Sequence, residues 1–115
     1  MLSQIFPSAE GEVRRELFPG VEARVDGGEH LTLSRVRMVP FSVVERHSHP
    51  HEQVGIVVEG SARFDVGGFS KVLGPGDVYR IPGGLPHSVH ALDSGLFALD
   101  VFFPKRLEYH GAVVP

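Results

Sequence analysis

Between Leu31 and Val39 the side chains alternate along the chain. Leu31, Leu33 and Arg35 fall on one parity, and Thr32, Ser34, Val36 and Met38 on the other, the period of a strand. The same reading applies further on. Gln53 to Glu59 is rich in β-branched residues and stops at Gly60, and Ala62, Phe64 and Val66 alternate with Arg63 and Asp65 before Gly67-Gly68. Lys71 to Leu73 ends at Gly74-Pro75-Gly76, and Val78 to Ile81 ends at Pro82-Gly83-Gly84. Ser88 to Leu92 and Leu96 to Phe103 complete the set, with Pro104 closing the last strand because it cannot donate to a ladder. Gly11 to Leu17 is the one window that reads as a turn of helix, ended by Pro19 and Gly20. Short strands separated by Gly/Pro turns predict an all-β sandwich or barrel.

The chain has 115 residues, the size of one domain, and we read residues 1–115 as a single unit. Fourteen Gly and nine Pro agree with many tight turns. The net charge of −3 comes without any block of like charge, which argues against nucleic acid as a partner. With no cysteine, disulfides and thiolate chemistry are excluded. The N-terminus lacks a basic region followed by an apolar run, and no stretch approaches the roughly 20 apolar residues of a membrane helix. The expectation is a soluble, cytoplasmic protein. So small a domain buries only about two-thirds of its unfolded surface. A homodimer is therefore expected, with Leu2, Ile5 and Phe6 available to cover part of the contact.

Seven histidines are the compositional oddity, and three of them fall in His47-Ser48-His49-Pro50-His51-Glu52-Gln53. On an extended strand His47 and His49 face one side and can chelate a metal. The rest of the ligand set must come from elsewhere. Gln53 opens the next strand, and His87 follows Pro82-Gly83-Gly84-Leu85-Pro86. Imidazole suits Zn, Fe, Ni, Cu or Mn, and a carbonyl oxygen can complete the set. The competing reading makes the histidines solvated turn residues, and for His51, between Pro50 and Glu52, that reading is preferred. Glu52 is a rival oxygen ligand, but its parity opposes His47 and His49 in an extended chain. His30, His90 and His110 read as ordinary polar residues.

His47-x-His49, three residues, Gln53, six residues, Gly60 resembles the first cupin motif, and Gly76, five residues, Pro82-x-Gly84, two residues, His87 resembles the second. This chain has Gln53 where the family usually has Glu, and Ala91 where it usually has Asn. The resemblance implies a jelly-roll barrel (double-stranded β-helix) of six to eight antiparallel strands. It also implies one divalent metal at the centre, held by His47, His49, Gln53 and His87, since the register back from Gly60 selects Gln53. Three neutral histidines and a glutamine leave the full dipositive charge on such an ion. That favours Lewis-acid chemistry and anionic ligands over redox chemistry.

A second constellation lies in Leu96-Phe97-Ala98-Leu99-Asp100-Val101-Phe102-Phe103, where one carboxylate sits among apolar residues. A buried carboxylate changes protonation or finds a partner. Asp100 and Phe102 share a parity, and Arg106 follows Pro104 near the barrel mouth. The structural alternatives are Asp100 paired with an outer-face arginine, Phe102 as plain core, and Arg106 as a solvated surface residue. HSHPHEQVGIVVEG, GDVYRIPGGLPH and LDVFFPKR together resemble the pectin-degradation cupins of the KdgF type. That resemblance implies a small-molecule substrate, with 4,5-unsaturated monouronates converted to linear keto forms. Asp100, Phe102 and Arg106 would be the catalytic group: Asp100 moving protons, Arg106 gripping a carboxylate and Phe102 walling one sugar face. A metal-dependent dioxygenase and a non-catalytic sugar- or ligand-binding cupin are the alternatives.

Overall fold

The computed structural model describes residues 2–8 and 12–110. After one helical turn, α1 (Leu2–Ile5), come β1 (Val13–Phe18), β2 (Val21–Gly27), β3 (Thr32–Met38) and β4 (Val43–His47). Then follow β5 (Glu52–Val66), β6 (Phe69–Leu73), β7 (Val78–Ile81), β8 (His87–Phe103) and a 3-10 turn (Leu107–His110). No helix among the described residues is long and apolar enough to cross a membrane.

Every strand pairing is antiparallel, and the two longest strands organise the rest. The first half of β5 pairs with the second half of β8, from Glu52↔Phe103 to Gly60↔Leu96, and the remaining halves pair from Ala62↔Ala91 to Val66↔His87. One sheet therefore runs β1-β2-β3-β8-β5-β7, and the other runs β4-β8-β5-β6. This is the expected jelly roll, and among the described residues its ladders are not closed, ending at β1 and β7 in one sheet and at β4 and β6 in the other. The strands read separately as Gln53–Glu59 and Ala62–Val66 are one strand, and so are Ser88–Leu92 and Leu96–Phe103. Both bend rather than stop. Gly60 (φ +77°) and Gly95 (φ +71°) adopt left-handed backbone, and a Cβ on Gly60 would lie 2.0 Å from the Gly95 carbonyl oxygen.

The helical turn expected over Gly11 to Leu17 is corrected from Val13 onward, where the segment is β1. Pro19-Gly20 folds it back so that Phe18 faces Val21. Ladder hydrogen bonds and the packing of Val13 and Leu17 on the core outweigh its local helix propensity.

The large sheet buries one parity of each strand, which stacks the inner face in layers. The outermost row is Thr32, Phe102, Gln53 and Ile81; the next is Ser34, Asp100, Gly55 and Tyr79; below lie Val36, Ala98 and Val57. All of these are buried. The first two rows are partly polar and the third is apolar, so the polar groups of this inner face lie toward one end.

Gly60→Ala should lower unfolding stability by more than about 2 kcal/mol, because strain and a backbone clash coincide there. Gly68→Ala, at φ +89° but with open space around its Cβ, should lose clearly less. Urea denaturation followed by circular dichroism measures both, and equal losses would contradict the role given to the bend.

Candidate metal centre

His47 is the last residue of β4 and faces His87, the first of β8, with ring centroids 4.4 Å apart. His49 does not continue that strand as the parity reading expected. It lies in the following loop, and its ring comes within 4.9 Å of His87 because the loop is clamped. The Gly84 N–H donates to the His49 carbonyl at 2.8 Å. Gly83 approaches so closely that a Cβ there would lie 2.3 Å from the Pro50 carbonyl oxygen. The two motif loops are thus held against each other, and they bring ligand atoms of His47, His49 and His87 within 4.8 Å of one another.

The tautomers follow from the backbone. The Nδ1 atoms of His47 and His87 lie 2.8 Å from the carbonyl oxygens of Glu45 and Leu85, and His49 Nδ1 lies 3.0 Å from that of His51. A carbonyl only accepts, so each Nδ1 carries the proton and each neutral ring presents a bare Nε2 lone pair. Burial lowers the pKa of His49 to about 4 and also lowers that of His87, so these rings stay neutral near pH 7. Gln53 Oε1 lies 3.1 Å from His49 Nε2, so two lone pairs face each other. The Gln53 side chain also favours the ionised form of Asp100, so turning the amide over would set its oxygen toward that carboxylate. A cation among these lone pairs resolves the conflict, and the donor set therefore fits a divalent metal.

Glu52 is exposed, as its parity implied. The expectation of His51 as a solvated turn residue is corrected. It is buried, its ring lies 5.6 Å from His49 and 6.5 Å from Phe102, and its Nδ1 has no partner among the described residues. The loop clamp packs it behind His49. Of the remaining histidines, His30 is exposed, His90 lies 3.5 Å from Asp65, and His110 Nε2 lies 2.8 Å from Thr32 Oγ1.

Asp100, Phe102 and Arg106 are all buried and line one cavity of about 350 Å³ together with His47, Gln53 and His87. Asp100 faces inward, not toward an outer-face arginine. Its Oδ1 accepts a 2.5 Å hydrogen bond from the Tyr79 hydroxyl. Burial raises the Asp100 pKa to about 6, opposed by Tyr79, Gln53 and Arg106, and the same burial raises that of Tyr79. Arg106 is not the solvated residue of the alternative reading. Its N–H donates to Thr32 Oγ1 at 2.8 Å and its Nε to Glu108 at 2.7 Å, while the guanidinium stacks 3.9 Å from the Tyr109 ring centroid. Phe102 lies between Arg106 and His49, at 5.1 and 5.5 Å. Sequence reading missed Ser34, Tyr79, Glu108 and Tyr109. For Ser34 and Tyr79 the available signal was a hydroxyl on the buried parity of a strand.

The family described as cupin domain matches residues 34–102. Pectin degradation protein KdgF of Dickeya dadantii is 27% identical over 96 residues, covering 82% of this chain and 87% of that protein. Oxalate decarboxylase OxdC of Bacillus subtilis is 34% identical over 79 residues, covering 64% of this chain. The chain spans only 20% of OxdC, a protein with Mn(II) centres. The structure of KdgF from Halomonas sp. superposes with a TM-score of 0.78 at 25% identity, covering 88% of this chain and 94% of that one.

The raised Asp100 pKa sets a sign. Folded protein holds the Asp100 proton up to about pH 6 and the unfolded chain only to about 3.8, so ionisation destabilises the fold progressively between those values. Metal-free Asp100→Asn should therefore be more stable than metal-free wild type at pH 8, by about 3 kcal/mol at most. The gap should close as pH falls toward 4. Thermal melting across this range measures it, and a gap that widens on acidification would contradict the assignment.

Proposed function

The chain belongs to the cupin family, and from that premise we propose that residues 1–115 form one metal-binding cupin enzyme of the cytoplasm. Its reaction is the conversion of 4,5-unsaturated monouronates to linear keto forms. The observation that carries this reading is a single cavity lined by His47, Gln53 and His87, with His49 beside them, and by inward-facing Asp100, Phe102 and Arg106. Its resemblance to KdgF over most of both chains supports the same reading.

A divalent ion held by these four residues supplies Lewis acidity undiminished by ligand charge. The remaining work falls to the chain. Arg106, fixed by Glu108 and Tyr109, grips the substrate carboxylate at the mouth. Phe102 offers an apolar wall beside it. The Asp100 carboxylate, oriented by Tyr79, takes the proton of the anomeric hydroxyl as the bond from the anomeric carbon to the ring oxygen breaks. It then returns a proton to C4 as the C5 enol becomes a ketone. No atoms are gained or lost, so the step is an isomerisation. A dioxygenase would consume oxygen, and the neutral donor set disfavours the oxidised metal it needs.

We also propose a homodimer. The outer face of the large sheet exposes Leu33, Val101 and Val54 in one cross-strand row, and Ile56 beside Val78 in the next. An apolar face of this kind is a natural subunit contact. Leu2, Ile5 and Phe6 are also exposed. Light scattering should give twice the chain mass, and Val54→Lys with Ile56→Lys should give the monomer. A monomeric wild type at high concentration would exclude the dimer.

The test of function uses purified 4,5-unsaturated galacturonate and loss of its conjugated-alkene absorbance. Asp100→Asn should lose about 100- to 10,000-fold in turnover with metal retained. Arg106→Ala should chiefly raise KM, and Phe102→Ala should do less. His49→Ala and His87→Ala should lose most metal by elemental analysis. Wild type at the background rate with metal fully loaded would overturn the uronate reading. An active Asp100→Asn would overturn only the catalytic assignment.

A further inference from the structure

Two hydroxyls stand side by side on the inner parity of β3. Thr32 Oγ1 has two neighbours, the Arg106 N–H and the His110 ring. Ser34 is equally buried, at 0% exposure, yet its Oγ has no partner among the described residues. A buried unpaired hydroxyl costs about 1–3 kcal/mol, and alanine would fill this strand position without that cost. Packing therefore gives no reason for a serine here.

Its location does. Ser34 lines the cavity and lies directly across the ladder from Asp100. The other hydroxyl of that row, on Tyr79, is committed to Asp100. The Ser34 row is one layer, two residues or roughly 7 Å, deeper than the row holding Gln53 and Phe102. Arg106 follows the end of β8, at the opposite side of that first row. A ligand with its carboxylate on Arg106 thus extends past the histidines toward Ser34, and beyond Ser34 the cavity wall turns apolar, with Val36, Ala98, Met38 and Leu96.

We infer that Ser34 Oγ is a ligand contact that recognises a hydroxyl at the end of the molecule away from its carboxylate, so that the cavity selects polyhydroxy acids over simple carboxylic acids. This deepens the uronate reading and rests on it for the ligand class. A sugar hydroxyl is both donor and acceptor, so it can bond Ser34 and Asp100 together. An unhydroxylated ring would leave Ser34 unpaired.

The test is binding to the metal-loaded protein by calorimetry, with D-galacturonate and cyclohexanecarboxylate as probes. Neither carries the reactive double bond. Ser34→Ala should bind galacturonate about two- to tenfold more weakly than wild type. Its affinity for cyclohexanecarboxylate should be unchanged, and its ligand-free melting temperature unchanged or higher. Ser34→Cys, which keeps the shape with a weaker donor, should fall between the two and serves if the alanine variant folds poorly. Equal galacturonate affinity in wild type and Ser34→Ala overturns the inference, as does a parallel loss for both probes. A wild type that does not bind galacturonate also overturns it. Wild type that binds galacturonate Ser34-dependently but does not turn over the unsaturated uronate removes the enzymatic reading and leaves this contact standing.

Discussion

A side-chain amide has two unlike ends, and Gln53 meets two unlike neighbours. Its oxygen faces the His49 Nε2 lone pair at 3.1 Å, and its side chain favours the ionised form of Asp100. Three backbone carbonyls have already fixed the imidazole tautomers, so the oxygen end sits among bare Nε2 lone pairs, where a cation would relieve the conflict. The nitrogen end then fits only an acceptor, which Asp100 provides as an ionised carboxylate. A glutamate at position 53 would set one carboxylate against another, and one of the two would have to hold a proton. The departure from the usual cupin glutamate and the presence of Asp100 are therefore one feature. The same substitution leaves the full charge of a bound ion available to polarise a substrate.

The grip on Asp100 continues to Tyr79, and the sheet makes room for it by omission. A Cβ on Gly55 would lie 2.3 Å from both Tyr79 Cζ and Asp100 Oδ1. The glycine is thus the space in which the acid and the phenol meet. Burial still wins over these contacts, because the Asp100 pKa stays raised, at about 6. The fold carries a partly desolvated acid at a cost in stability, a common bargain at sites that move protons.

Across the mouth, the 3-10 turn acts as a fixed strap. Thr32 receives the Arg106 N–H and contacts His110, the Arg15 Nε donates to the Tyr109 carbonyl at 3.2 Å, and Tyr109 stacks on both Arg106 and Phe102. Arg106 is consequently held in place by its own neighbours, so any ligand it met would not need to order a long side chain. Glu108 pairs with the same guanidinium and partly balances its charge.

Local chemistry made much of this legible. Period-two alternation and Gly/Pro punctuation reveal most of the strands, because a strand's two faces meet different solvents. The spacing of His47, His49 and His87 points to three rings whose ligand atoms the fold does bring within 4.8 Å of one another, because a metal site restricts residue type and distance along the chain. The parity of Asp100 and Phe102 correctly places both on the inner face. What sequence could not decide is what lies across the ladder. Register alone brings Tyr79 to Asp100 over Gly55 and seats Ser34 beside them, and those residues are far apart in the chain. The burial of His51 and the capture of Arg106 by Glu108 and Tyr109 depend on loops clamped from outside their own segments. Likewise, β1 is a strand because β2 returns along it. Each of these is a long-range contact, and the free energy that selects it exists only once the two sheets have packed.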